Sequence, residues 1–306
     1  MRILITGGTG LIGRHLCKAL LEEGHQLTVL SRRPETVASK CGANVHAIAA
    51  LAEWQPKLTF DAVINLAGEP IVDKAWSAQR KQALRDSRIV LTEDLVRRIA
   101  AVVQKPKVLL SGSAVGYYGN GDDAVLDEAS APGDDFSADL CRDWEVAAQA
   151  AEGFGLRVGL LRTGLVLSKD GGLLGKMLLP FRLGLGARLG NGRQWMSWVH
   201  IDDYVSMVLR LLNDGQMRGA FNLTAPQPVT NAGFTHTLAS ILRRPAFFIA
   251  PRMLLRLAMG ERASLLLEGQ RALPVKLMTS GYQFKYPDLG SALEGLLNRG
   301  QHQIHG

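Results

Sequence analysis

Cysteine is scarce in this chain of 306 residues: Cys17, Cys41 and Cys141 stand far apart, odd in number and with no CxxC pair. That excludes a disulfide framework and offers no zinc-binding spacing, so no metal site is expected and a reducing, cytoplasmic setting fits. Long apolar runs are missing too. No uncharged stretch reaches the roughly 18 residues of a membrane span, and an apolar stretch beginning at residue 2 leaves no room for the basic region of a secretory leader. Neither secretion nor a membrane partner is expected. Like charges do not cluster: there is no run of five, and the excess of 35 basic over 28 acidic residues is dispersed, with concentrations near 182–193 and 243–271. A net charge of +7 spread in this way suits a phosphate-bearing small ligand better than a nucleic acid.

What is present in quantity is apolar residues (47%, against 21% charged) and glycine (33 residues). This balance is that of a globular chain with a sizeable core. The sequence opens MRILITGGTGLIG, where a short apolar run enters a glycine cluster. Ile3, Leu4 and Ile5 read as a buried strand, and Leu16, Ala19 and Leu20 recur at helical spacing up to Gly24. Strands are expected at 26–30, 45–48, 62–66, 108–111 and 158–162, with a helix over about 77–103, ending before Pro106, and another around 136–152. Strands separated by helical segments require crossover connections, hence a parallel sheet with helices on both faces. The expected fold is a Rossmann-type, doubly wound α/β domain over residues 1–165, to which 201–222 return with a short strand, a helix over 204–212 and a further strand at AFNLT. Residues 166–200 and 223–306 form a smaller substrate lobe, including a helix over 231–242. The segment GGLLGKMLLPFRLGLGARLGNGRQWMSWVH reads as a functional stretch poor in regular helix, too apolar for a linker.

Gly7, Gly10 and Gly13 sit between strand and helix at the start of a βαβ unit, the context a dinucleotide-binding glycine loop requires. Gly7 permits the tight turn, Gly10 lets backbone approach a pyrophosphate, Gly13 lets helix pack on strand, and the amides near Leu11 and Ile12 face the phosphates. The end of the second strand reads Leu30-Ser31-Arg32-Arg33, where NAD-binding chains commonly carry an acidic residue for the ribose. Small polar and cationic groups there point to NADP(H).

In chain order, TGGTGLIG, DAVINLAGEP, SGSAVGYYG, LLRTGLVL and SWVHIDD resemble the extended short-chain dehydrogenase/reductases of the nucleotide-sugar epimerase/dehydratase class. GGLLGKMLLPFRLGLG and GRQWMSWVHIDD resemble more narrowly the atypical YfcH-like subgroup of epimerase-family proteins, over essentially the whole chain. The resemblance implies a Rossmann fold with NADP(H). It also implies that Ser31 and Arg32 hold the 2′-phosphate, Leu66 and Ala67 line the adenosine side, Arg88 reaches the cofactor, Val166 touches the nicotinamide end and Ser113 faces the substrate.

One departure from that family stands out. Catalytic members carry a Tyr-x-x-x-Lys pair on the helix after the fifth strand, the lysine lowering the tyrosine pKa so that the phenol shuttles a proton. Alignment on Glu145 puts Ser137 and Cys141 at those two positions, and neither can do that work. Tyr117 and Tyr118, on the loop after Ser113, are candidates for a substitute acid or for packing. Glu69 reads as a general base or a solvated loop carboxylate, His200 as a structural histidine bonded near Asp202 or Asp203, and Cys141 as inert. Arg182, Arg188 and Arg193 with Trp195 and Trp198 either clamp a flat anionic substrate or form the rim of the second lobe. The expected function is therefore an NADP(H)-binding epimerase- or oxidoreductase-like protein acting on a small molecule, with a non-catalytic NADPH-binding regulator or scaffold as the alternative.

Overall fold

The computed structural model describes residues 1–55 and 57–298; residues 299–306 of the expected second lobe lie outside the described residues. Seven strands form the central sheet: β1 (Arg2–Thr6), β2 (Gln26–Leu30), β3 (His46–Ile48), β4 (Ala62–Asn65), β5 (Val108–Ala114), β6 (Arg157–Thr163) and β7 (Gly219–Leu223). Their order is β7-β6-β5-β4-β1-β2-β3 and every pairing is parallel. The order reverses between β1 and β4, the switch point at which crossovers leave to opposite faces and a crevice opens beyond the strand ends.

Alternation along the strands divides the interior in two. Ile3 and Ile5 of β1 join Val29 and Ile64 in a cluster with Leu16 and Leu20 of helix α1 (Leu11–Glu22), while Leu4 points the other way, to Val63, Leu109 and Val158. That opposite face is covered by Leu95 and Ile99 of the long helix before β5 and by Ala148 of the helix before β6. The first cluster continues without a break through Met207 and Leu211 to Leu174, Phe181, Phe234 and Leu293. The sheet and the C-terminal residues thus share one apolar interior.

The remaining helices used below are α2 (Ala78–Arg85), α3 (Leu91–Ala101), α4 (Phe136–Gln149), α5 (Gly172–Arg182), α6 (Ile201–Asn213), α7 (Asn231–Leu242), α8 (Arg252–Met259) and α9 (Leu289–Asn298). The helix expected over 77–103 is two helices, α2 and α3, joined by a π-helical turn at Asp86–Val90. A π turn widens the helix by one residue and is common at functional sites. The segment after 166 also differs from expectation, because it contains the eleven-residue α5. Leu174, Leu178 and Phe181 give α5 a buried stripe, and Pro180 falls in its last turn. Three separate short strand pairs organise this part of the chain: 187–189 with 248–250, 195–196 with 229–230, and 198–200 with 165–167.

Candidate functional site

The glycine loop is built by exclusion of side chains. Gly7 has φ +71°, and a Cβ there would lie 2.6 Å from the Leu66 carbonyl; a Cβ on Gly13 would lie 2.4 Å from the Gly7 oxygen. Both glycines are thus required by the crossing of loop, strand and helix. Gly10 differs. Its N–H donates to the Gly7 carbonyl at 3.0 Å, it caps α1 without a side chain, and a Cβ would meet only the Gly7 oxygen, at 3.2 Å. The helix N-terminus opens beside this bare backbone with no acidic residue in its first turn, so its partial positive charge is unopposed. An anionic pyrophosphate fits this cradle.

A buried polar network sets the neighbouring loop. Thr6 Oγ1 donates to Asn65 Oδ1 at 2.6 Å, and Asn65 Nδ2 donates to Thr92 Oγ1 at 2.8 Å and Ser111 Oγ at 3.2 Å. Thr6 Oγ1 also receives the Ala67 N–H at 3.1 Å, fixing the NLAG turn on β1. Thr92 Oγ1 donates to the Arg88 carbonyl at 2.6 Å, inside the π turn. Arg88 lies across Gly68, where a Cβ would come within 2.8 Å of Cζ, and donates to the Glu69 carbonyl at 2.9 Å. Burial lowers its pKa from the ordinary value, but a guanidinium remains cationic at neutral pH.

These pieces line one cavity of about 910 Å³ running from the glycine loop along the C-terminal ends of β4, β5 and β6 to the far side of α5. Gly7, Gly10, Leu11, Ile12, Gly13, Leu66, Arg88, Ser113 and Val166 are all on its wall. Ala67, Ser31 and Arg32 are not among the lining residues. Ala67 serves the turn through its amide. Ser31 and Arg32 follow β2, with Ser31 Oγ accepting the Arg33 N–H at 3.1 Å. Arg32 is 89% exposed and pairs with Glu69 at 2.7 Å. Glu69 also holds Arg80 at 3.4 Å, and the hydrogen bond from Arg32 above all keeps its carboxyl below the usual range. Glu69 is therefore an ion-paired carboxylate beside the expected 2′-phosphate position.

At the other end, Ser113 Oγ donates to Glu145 Oε1 at 2.6 Å. Glu145 in turn receives Arg162 Nε at 2.8 Å on Oε1 and an Arg162 terminal nitrogen at 2.9 Å on Oε2. Burial opposes charge on Arg162, yet the bidentate carboxylate outweighs it and its pKa lies above the ordinary value. Tyr117 and Tyr118 do not face the cleft. Tyr117 lies under Arg162, whose Cζ is 3.5 Å from the ring centroid, and the Tyr118 hydroxyl donates to Asn222 and accepts from Arg162. Burial pushes Tyr118 up to about 12, the wrong direction for a proton shuttle. Neither is on the cavity wall; both are engaged by Arg162 instead. Ser137 and Cys141 are on the wall, and burial raises the Cys141 thiol to about 12, so it stays protonated.

The expected anion clamp is not assembled either. Arg182, Arg188 and Arg193 are absent from the lining, and Trp198 is fully buried with Nε1 donating to the Gln227 carbonyl at 3.0 Å. Only Trp195 reaches the wall, its Nε1 committed to Asp123 at 2.8 Å. His200 ends the strand 198–200 and caps α6, accepting the Asp202 N–H on Nδ1 at 2.9 Å, with its ring stacked on Tyr286. This is a structural histidine.

Residues 3–224 match the NAD dependent epimerase/dehydratase family, and residues 250–296 match a domain of unknown function, DUF1731. The chain belongs to the NAD dependent epimerase/dehydratase family. Within it, the chain is 43% identical over 294 residues to epimerase family protein Mb2239 of Mycobacterium bovis, covering 95% of this chain and 96% of that protein. It is 38% identical over 303 residues to the chloroplastic SDR39U1 homolog of Arabidopsis thaliana, covering 97% and 87%. The crystal structure of human epimerase family protein SDR39U1 with NADPH superposes with a TM-score of 0.87 at 35% identity, covering 97% of this chain and 99% of that one. This epimerase-family chain thus has the Rossmann fold expected of it. The residues missed in the sequence are the Glu145–Arg162 pair and Arg80 as the second partner of Glu69. A signal existed for the first: Arg162 is a charge directly after the apolar run VGLL, whose four residues are all buried in the strand.

Proposed function

We propose that this protein binds NADP(H) and acts as an oxidoreductase on a small molecule without a Tyr-Lys proton relay, in the cytoplasm. The observation that carries the reading is the single cavity joining the glycine cradle to Ser113 and Arg88. In this reading Gly7, Gly10, Leu11, Ile12 and Gly13 hold the pyrophosphate, Leu66 and Ala67 flank the adenosine, Ser31 and Arg32 meet the 2′-phosphate, Arg88 reaches the cofactor from the NLAG side, and Val166 borders the nicotinamide end. The bound cofactor supplies hydride chemistry: a hydride goes to a carbonyl carbon, the carbonyl pair moves to oxygen, which takes a proton from water, and a ketone becomes an alcohol as NADPH becomes NADP⁺.

Ser113 has a defined part in this. Its proton is committed to Glu145, so the hydroxyl turns acceptor lone pairs to the cavity and receives a hydrogen bond from the O–H of the alcohol form, while the ketone form gains no hydrogen bond from it. Both Glu145 oxygens are occupied, by Ser113 and Arg162 on one and Arg162 on the other, so proton exchange falls to solvent.

A second reading is a non-catalytic NADPH-binding regulator or scaffold. It is favoured by Ser137 and Cys141 standing where the proton-shuttling pair is expected. Fluorescence titration with NADPH tests binding, and NADPH consumption with a carbonyl panel separates the two readings. Epimerisation of UDP-sugars at the usual ~1–10³ per second would overturn the missing-relay argument.

A further inference from the structure

We infer that the substrate end of the cavity takes an uncharged, lipophilic carbonyl compound or alcohol rather than a nucleotide sugar, an inference that rests on the NADP(H) reading above. Beyond Ser113 the wall is made by Met177 and Phe181 of α5, Leu185, Leu189, Met196 and Leu266. These residues come from four separate elements and converge on one apolar surface.

Charge decides between the substrate classes. Among the described residues, the charged side chains lining the cavity are Arg88, Asp135 and Glu268. Arg88 belongs to the NLAG side and already bonds the Glu69 and Leu84 carbonyls. Asp135 caps α4 through the Ala138 N–H, and Glu268 faces Arg252 at 3.9 Å. A nucleoside diphosphate entering here would find no cation on the substrate side and two carboxylates near it. An anion moved from water to such a wall loses hydration without replacement.

Polar side chains at this end bond the backbone of the wall. Gln194 Nε2 donates to the Leu189 and Leu266 carbonyls at 3.2 and 2.8 Å, Gln270 Nε2 to the Gly119 carbonyl at 2.6 Å, and Ser197 Oγ to the Gln270 carbonyl at 2.7 Å. They close the backbone of the wall and leave its inner surface apolar. Leu185, 56% exposed, carries the same chemistry to the surface. Leu185 is both rim and lining. Ser113 therefore meets an incoming alcohol as a hydrogen-bond acceptor, with the Ser137 hydroxyl on the same wall, and the rest of the ligand is held by apolar contact.

Undecanone, undecanol and UDP-glucose titrated into the protein, with and without saturating NADPH, test this by thermal shift and by NADPH emission. The expected result is a saturable response to undecanone or undecanol and none to UDP-glucose. Met177→Arg should weaken that response by at least about tenfold while NADPH binding stays within about twofold of wild type. Leu185→Arg, at an exposed position, gives the same test should Met177→Arg fold poorly. Saturable binding of UDP-glucose, or no response to either apolar ligand, overturns the inference while NADPH titration still holds. Loss of NADPH binding overturns the proposed function instead, and the titrations without cofactor then decide the ligand class alone.

Discussion

Glu145 and Arg162 meet through two hydrogen bonds, 2.8 and 2.9 Å, with side chains only 6% and 5% exposed. The pair fixes three things at once: the proton of Ser113, the ring of Tyr117 and the hydroxyl of Tyr118. A buried ion pair costs desolvation, so its two halves stabilise the fold only together.

Removing one half should therefore be severe. Glu145→Ala is expected to destabilise the protein by about 3–5 kcal/mol by stranding the guanidinium. Glu145→Leu with Arg162→Leu should recover a large part of that loss. Urea denaturation of the three variants measures it, and an additive double variant would show that the two residues do not act as a pair.

The glycine loop separates binding from folding. Gly10→Val puts a branched side chain over open backbone, so NADPH binding should fall below detection while circular dichroism and the unfolding midpoint stay near wild type. Gly13→Ala should do the opposite kind of damage, because its Cβ lies 2.4 Å from the Gly7 oxygen. Its midpoint should drop before cofactor is added. Normal NADPH affinity in Gly10→Val would remove the phosphate cradle from this loop.

Much of this was legible in the sequence because local pattern and tertiary demand coincide there. The alternation of Ile3, Leu4 and Ile5, the three glycines and the helix after them each fit the same βαβ geometry. Helix α5 was not legible, since Gly171, Gly172, Gly175 and Pro180 all argue against helix on propensity, and only burial of Leu174, Leu178 and Phe181 makes it pay. The π turn carries Arg88, whose guanidinium lies against Gly68, a tertiary contact that local sequence pattern does not register. Tyr117 and Tyr118 sat at the right distance along the chain, but the buried Arg162 that turns them away lies 44 residues beyond Tyr118. The arginines of 182–193 failed as a clamp for a related reason: spacing along a strand and loop says nothing about which side of the wall a side chain takes.

Asp288 gives a pH prediction. It precedes α9, its Oδ1 accepts the Ser291 N–H at 2.9 Å and its Oδ2 the Ser291 hydroxyl at 2.8 Å. These bonds, the backbone one first, hold its pKa below the ordinary value. The native pKa being lower than the unfolded one, its stabilisation is complete above the ordinary carboxylate value of about 3.9 and is lost as pH falls through the depressed native value. Asp288→Ala should cost about 1 kcal/mol at neutral pH. The gap from wild type should close as the buffer is taken below about pH 4. A gap that stays constant under acid would mean that the carboxylate charge adds nothing to the cap.

Cofactor preference turns on Arg32 and Glu69. A 2′-phosphate brings roughly two negative charges, and charge-assisted hydrogen bonds from Arg32 and Ser31 are worth about 1.5–3 kcal/mol. That corresponds to roughly ten- to a hundredfold in favour of NADPH over NADH. Arg32 is already paired with Glu69 at 2.7 Å, so the phosphate must replace one anion by another. The preference should therefore sit near the lower end, about tenfold. Because Arg32 is exposed, added salt should erode it further. Arg32→Ala should weaken NADPH while leaving NADH nearly unchanged, with Arg33 supplying any residual discrimination. Glu69→Gln should act in the other direction, freeing the guanidinium and tightening NADPH by a few-fold. Titrating both cofactors by fluorescence against wild type and the two variants reads all of these directly. Equal affinity for NADPH and NADH in the wild-type protein would take the 2′-phosphate away from Arg32. An NADH preference abolished by Glu69→Gln would make Glu69 the residue that reads the ribose.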